Sequence, residues 1–200
     1  MIKSILVASH NPDKAAEIKT IFESTGVQVQ TLDAFKKAPE VVENGNTLEE
    51  NALKKAHEIY DFTGIPTLAD DTGLEVDALN GAPGIYSARF AGENATYDDN
   101  VNKLLVEMET VADKNRTARF RTVAAFYDGT HTITSDGAVE GIILRSRRGD
   151  GGFGYDPVFE SLETKQTFAE MTSNAKNAIS HRGRALRKLY LQLQKQQLIH

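Results

Sequence analysis

Cysteine is absent from the 200 residues of this chain. That excludes disulfides and thiolate metal sites and suits the cytoplasm. No uninterrupted apolar run approaches the roughly 20 residues of a membrane helix, so no membrane partner is expected. The opening stretch Met1–Ala8 is too short for a signal peptide and leads straight into a charged helical pattern. It reads as a first β-strand. A surplus of positive charge is missing as well. Lys and Arg number 23 against 28 Asp and Glu, a formal net charge of -5. The whole molecule is therefore no electrostatic match for duplex nucleic acid. Two basic clusters run against that balance: Arg145, Arg147 and Arg148, and then Arg182, Arg184, Arg187 and Lys188. Most of them read as solvated loop and helix faces, with one or two available to a small polyanion. There is no internal repeat and no low-complexity linker. One domain made of two lobes is expected across residues 1–200.

The chain then alternates between the two hydrophobic periods. After the first strand, Asn11 is a good helix N-cap and Pro12 is favoured at the first helical position. Ile18, Ile21 and Phe22 recur at helical spacing, and Gly26 closes the segment. A short strand follows at Val27–Gln30, then a loop from Asp33 to Asn46. Thr47 opens a second helix, where Glu50 is expected to complete a capping box. Leu48, Ala52, Ala56 and Ile59 form its inner stripe, and Gly64 and Pro66 end it. Thr67–Val76 reads as a strand, residues 97–109 as a helix, and Arg116–Tyr127 as a long alternating strand. Asp128-Gly129 signals a hairpin into a returning strand over His131–Leu144. A final helix is expected from about Ser180 to Gln194. This order predicts an α/β fold with a mixed sheet and flanking helices, in two lobes around a central substrate cleft.

Four segments carry residues suited to chemistry. Ser9-His10-Asn11-Pro12-Asp13-Lys14 joins a strand to a capped helix. A helix N-terminus offers N–H groups and a positive dipole end to phosphate, and Lys14 adds a charge. The same segment also reads as a routine strand-to-helix turn. Asp70 and Asp71 end an apolar strand, where two carboxylates are costly to bury unless they meet a cation. Successive strand side chains face opposite ways, so only one of the pair aims directly into a site. Asp71-Thr72-Gly73 is also good turn chemistry, but its place at the end of a core strand favours function. Glu43 can serve as a second oxygen ligand, since magnesium takes one or two carboxylates plus waters and substrate phosphates.

Gly149–Gly154 formally contains G-x-G-x-x-G. The context is wrong for a dinucleotide fingerprint, because Asp156-Pro157 follows where a helix is required. The segment reads instead as a pliant loop presenting Phe153 for stacking on a base, or as a glycine-rich surface hairpin. Lys176 and then Ser180-His181-Arg182 supply donors at the start of the last helix, which reads equally as a capped first turn in solvent.

Together the four segments resemble the inosine/xanthosine triphosphate pyrophosphatase family over nearly the whole chain. The carriers are Ser9, Asn11 and Lys14; Ala69–Leu74 with Gly81–Arg89; Gly151–Pro157; and Ser180–Gly183. His10 departs from the small residue usual at its position, with little consequence if only backbone meets phosphate there. The resemblance implies a magnesium-dependent hydrolase that converts ITP, dITP or XTP to the monophosphate and pyrophosphate. Such an enzyme would clear deaminated purines from the nucleotide pool. It also implies a homodimer. Asp71 would be the general base and, with Glu43, would bind magnesium. Ser9, Asn11 and Lys14, in a segment that includes His10, Pro12 and Asp13, would hold the phosphates. Lys55, which stands at the family's spacing where Lys54 does not, would lie nearby, and Thr72 would also meet substrate. Phe153, Gly154, Tyr155, Asp156, Lys176, His181 and Arg182 would form the nucleoside pocket.

Base choice then becomes a hydrogen-bond argument. Donors of the His181-Arg182 segment would accept a 6-oxo purine and mismatch adenine, a discrimination worth up to roughly 10⁴. Guanine shares the 6-oxo group, so its exclusion requires a clash or an unpaired donor at its 2-amino group. Three rival readings stand beside this one. A pyrophosphatase for modified pyrimidine or methylated nucleotides should lack the Gly-Phe-Gly-Tyr-Asp loop and the Ser-His-Arg segment. The Asp70-Asp71 pair and Glu43 argue against a nucleotide sensor, which has little need of a water-positioning carboxylate. A dinucleotide-dependent oxidoreductase fails on the glycine-motif context.

Overall fold

The computed structural model describes residues 1–23 and 25–199. The elements are β1 (Ser4–Val7), α1 (Pro12–Glu23), β2 (Gln28–Thr31), α2 (Leu48–Thr63), β3 (Thr67–Val76) and β4 (Pro83–Gly84). They continue with α3 (Tyr97–Glu107), β5 (Thr117–Tyr127), β6 (Thr132–Ile143), β7 (Phe159–Ser161), α4 (Ser173–Ile179) and α5 (His181–Lys195). The sheet has the order β2-β1-β3-β5-β6-β7, with β4 beside β3. β1 pairs parallel with both β2 and β3, whereas β3–β4 and β6–β7 are antiparallel. The sheet is therefore mixed, as expected. The parallel pairs are those whose connections carry a helix, because parallel strands need a long crossover.

The chain divides into two compact units. Unit 1 comprises Met1–Asp71, Thr122–Gly137 and His181–His200, and unit 2 comprises Thr72–Arg121 and Ala138–Ser180. Each has its own core. In unit 1, Ile5, Ile18, Phe22, Leu68, Phe126, Leu186 and Leu189 pack together. In unit 2, Leu74, Val101, Leu104, Phe120, Phe159 and Phe168 do so. Each such side chain removed from water contributes about 1.5–3 kcal/mol.

β5 shows how one strand serves two environments. From Thr117 to Arg121 exposed and buried residues alternate, whereas Thr122–Phe126 is buried without interruption. The first part has one covered face and the second has two. The expected period-2 pattern therefore holds only in the unit 2 half.

Helix ends follow local chemistry. Thr47 Oγ1 accepts the Glu50 N–H at 3.1 Å. The expected capping box closes only on this side, because the Glu50 carboxylate accepts from the Asn46 N–H, one residue earlier than the box requires. Gly64, at φ 67°, ends α2 in the left-handed conformation and donates to the Tyr60 carbonyl. At the hairpin, Asp128 Oδ1 accepts from the Thr130 and His131 amides. Helix α4 was not expected. It is seven residues long, too short to show a periodic stripe, and Thr172 caps it. Ser180 ends α4, and α5 begins at His181.

Candidate active site

In unit 1 the site is built where β1 turns into α1 and where β3 meets α2. Asn11 Oδ1 accepts the Asp13 and Lys14 amides at 3.0 and 3.2 Å, so the expected cap is present. Ser9 Oγ accepts the Asn11 N–H at 3.2 Å and shapes the turn. Pro12 and Asp13 are exposed in the first turn of α1. The His10 ring contacts the Pro39 carbonyl at 3.3 Å, which ties this turn to the loop before α2.

Alternation along β3 gives Asp70 and Asp71 separate sets of partners. Asp70, 2% exposed, accepts from Arg182 Nε at 3.0 Å and lies 3.9 Å from Lys14 Nζ. Arg182, 1% exposed, also donates from Nη1 to Glu17. Burial alone would raise the Asp70 carboxyl, but Lys14 and Arg182 outweigh it and hold the group well below the ordinary carboxylate range. Burial likewise works against the Arg182 charge, and Asp70 and Glu17 overcome it, raising Arg182 further. Lys14 goes the other way: its burial lowers it despite Asp70.

Asp71 belongs to a second cluster. Lys55 Nζ donates to Glu43 Oε1 at 2.6 Å and to Asp71 Oδ1 at 3.3 Å. Asn51 Nδ2 donates to Asp71 Oδ2 at 3.2 Å. Burial pushes the Asp71 carboxyl above its ordinary value; Lys55 opposes the shift and Glu43 adds to it. Burial works against the Lys55 charge, but Asp71 and Glu43 prevail and raise it. The result is a buried carboxylate with enhanced basicity beside a firmly charged ammonium, the kind of environment that tunes a general base.

His181 and Arg182 are both buried at the start of α5. A solvated first turn is therefore excluded for these two. The other basic residues fare differently: Arg145 pairs with Asp113, Arg147 with Asp98, and Arg148 with Glu160 and Glu170, all at the surface.

Unit 2 holds the aromatic cluster. Lys176 Nζ donates to Asp156 Oδ2 at 2.6 Å and sits 4.5 Å from the Phe153 ring centroid. Asp156 Oδ2 also accepts the Phe153 N–H at 2.9 Å, and the Tyr97 ring lies 5.9 Å from that of Phe153. Gly152 and Gly154 adopt φ of 70° and 61°, and a Cβ on Gly152 would collide with the Asp156 carboxylate. The glycines thus let the loop fold over Asp156, and no helix follows them, so the dinucleotide reading fails. Tyr155 is buried in the unit 2 core and donates to the Ser87 carbonyl at 2.9 Å. Burial raises its phenol well above the ordinary range and keeps it neutral. Thr72 follows Asp71 on β3, half-buried.

Three participants were not singled out from sequence. Asn51 lies four residues before Lys55, Glu17 three after Lys14, and Tyr97 opens α3. For the first two, helical spacing from an already suspected lysine is a usable signal. Nothing local marks Tyr97.

The fold is α/β with a mixed sheet; unit 1 carries buried lysine–carboxylate clusters, and unit 2, taken by itself, carries a lysine set over an aromatic ring. The family follows from comparison. The sequence profile of the Ham1 family matches residues 5–192, and the chain belongs to that family. A protein of Desulforamulus reducens named dITP/XTP pyrophosphatase is 50% identical over 185 residues, 92% of each chain. One of Geobacter sulfurreducens with the same name is 51% identical over 183 residues, 91% of this chain and 92% of its own. The solved structure of a HAM1 protein from Coxiella burnetii superposes with a TM-score of 0.86 at 39% identity, covering 98% of this chain and 100% of that one.

Proposed function

We propose that this chain hydrolyses non-standard purine nucleoside triphosphates (dITP, XTP and ITP) to the monophosphate and pyrophosphate. The observation that carries the reading is Asp71: buried, raised in basicity, and gripped by Lys55 and Asn51 beside Glu43. The names of the relatives support the substrate class.

In this reading Lys14, Lys55 and the N-terminal turn of α1, with Ser9 and Asn11, neutralise the triphosphate. Asp71 orients a water on the α-phosphorus and takes its proton. The new P–O bond forms as the bond to the bridging oxygen breaks, and pyrophosphate leaves. Positioning and charge neutralisation supply most of the rate. Phe153 stacks on the base, and the Lys176–Asp156 pair holds the loop that presents it. His181 and Arg182 supply donors for a 6-oxo group, with Asp70 and Glu17 fixing the guanidinium.

The donor set suits magnesium. Glu43 and Asp71 already converge on one cation, the Lys55 ammonium. Magnesium takes one or two carboxylates and completes its shell with water and substrate phosphate. Glu43 and Asp71 would hold it. When bound, magnesium supplies neutralisation at the phosphate oxygens and lowers the pKa of coordinated water. The same reading includes a homodimer in the cytoplasm, to be checked by light scattering for twice the chain mass. No helix among the described residues is long and apolar enough to cross a membrane.

The direct test incubates purified protein with dITP, XTP, ITP, ATP and GTP, with and without magnesium, and separates products by anion exchange. Magnesium-dependent monophosphate and pyrophosphate, with little ATP or GTP turnover, is expected. Release of diphosphate and inorganic phosphate would mean attack at the γ-phosphorus and would overturn the mechanism.

A further inference from the structure

Asn51 and Lys55 are one helical turn apart on the buried face of α2, and each takes one oxygen of Asp71. The other end of the Asn51 amide accepts the Gly45 N–H at 2.8 Å. Gly45 is two residues from Glu43, whose carboxylate holds Lys55. The bonds therefore form a closed ring: Asp71 to Asn51, Asn51 to Gly45, along the chain to Glu43, then Lys55, and back to Asp71. The orientation of the amide is settled by its partners, since an N–H cannot accept and a carboxylate cannot donate. Asn51 is 0% exposed, so both of its bonds are made away from bulk water. Gly45 has its own reason to be glycine. A Cβ there would stand 2.7 Å from Asn51 Oδ1 and 2.8 Å from Glu50 Cβ.

We propose that Asn51 is a positioning residue that holds the Asp71 carboxylate in its working orientation and, through Gly45, locks the Glu43-bearing loop to it. An amide is the group this place requires. It presents one donor and one acceptor in a rigid plane, whereas aspartate would set an acceptor against Asp71 and leucine would offer neither. The kinetic half of the proposal rests on the pyrophosphatase reading. The structural half rests on the ring of bonds alone.

Three variants separate these roles. Asn51→Asp keeps the acceptor for Gly45 and loses the donor to Asp71. Asn51→Leu loses both at similar volume. Gly45→Ala leaves Asn51 intact and pushes the loop away. Each is measured for dITP turnover, thermal midpoint and hydrogen exchange of the Gly45 amide. Both Asn51 variants should lower kcat roughly 10–100-fold, as loss of an outer-shell partner does, with KM little changed. Gly45→Ala should lower kcat in the same direction. Gly45 exchange should accelerate in Asn51→Leu and stay protected in Asn51→Asp. In an Asp71→Asn background, Asn51→Leu should add no further loss. Wild-type turnover in both Asn51 variants, or unchanged Gly45 exchange in Asn51→Leu, overturns the proposal. If the wild type turns over no nucleotide, the pyrophosphatase reading is what fails, and Gly45 exchange then decides the bridge. Should Asn51→Leu not fold, Asn51→Asp and Gly45→Ala decide it by turnover: wild-type kcat in both overturns the proposal.

Discussion

Asp70 and Asp71 are adjacent in sequence and opposite in electrostatics. Asp70 is depressed, so its ionised form contributes stability above the unfolded carboxyl value, and that contribution is lost as pH falls through its folded value. Asp70→Asn should therefore be destabilised at pH 7, and its gap from wild type should close on acidification below about 4 in urea titrations. Arg182→Met removes one of the two cations beside buried Asp70, leaving Lys14, and should cost up to about 3–5 kcal/mol in the same assay. Asp71 is raised, so its contribution has the opposite sign. Stability is present below the unfolded carboxyl value and is lost as pH rises through the folded one. Asp71→Asn should then abolish most turnover, a loss of roughly 10²–10⁴, while its thermal midpoint at pH 8 is no lower than wild type. A midpoint that falls with the activity would show that Asp71 is structural.

At the scale of elements, the boundaries that failed were those set by more than local chemistry. Thr47, Gly64, Asn11 and the Asp128-Gly129 turn mark their ends by side-chain bonds or left-handed backbone, and each could be read directly. Thr47→Ala should cost about 1 kcal/mol in chemical denaturation, because its hydroxyl caps the Glu50 N–H at the start of α2. The start of α5 was legible, but its burial was not. Gly137 shows why: a Cβ there would strike the His181 carbonyl and the Ala185 amide, so the helix is seated directly on strand β6. A glycine in an alternating strand does not announce which helix it admits.

For the molecule as a whole, the formal net charge is -5, and Arg145, Arg147 and Arg148 are paired to surface acids, so strong polynucleotide binding is not expected. Duplex DNA in excess should not inhibit dITP turnover at moderate salt, whereas XTP and ITP should compete with it. Periodicity, caps and turn residues determined the order of elements, the mixed sheet and the segments that carry the chemistry, because those signals act within one or two turns of chain. The family resemblance also pointed to Glu43, Lys55 and Asp71. Only the tertiary structure decided how these residues are wired. It set Arg182 and Lys14 against Asp70, placed Lys55 and Asn51 on the two oxygens of Asp71, and sent the Tyr155 hydroxyl to the Ser87 carbonyl. Those outcomes depend on burial and on partners up to 112 positions distant, as with Asp70 and Arg182. A buried charge takes its protonation and its role from whichever groups the fold brings within about 4 Å, and no local pattern records that distance.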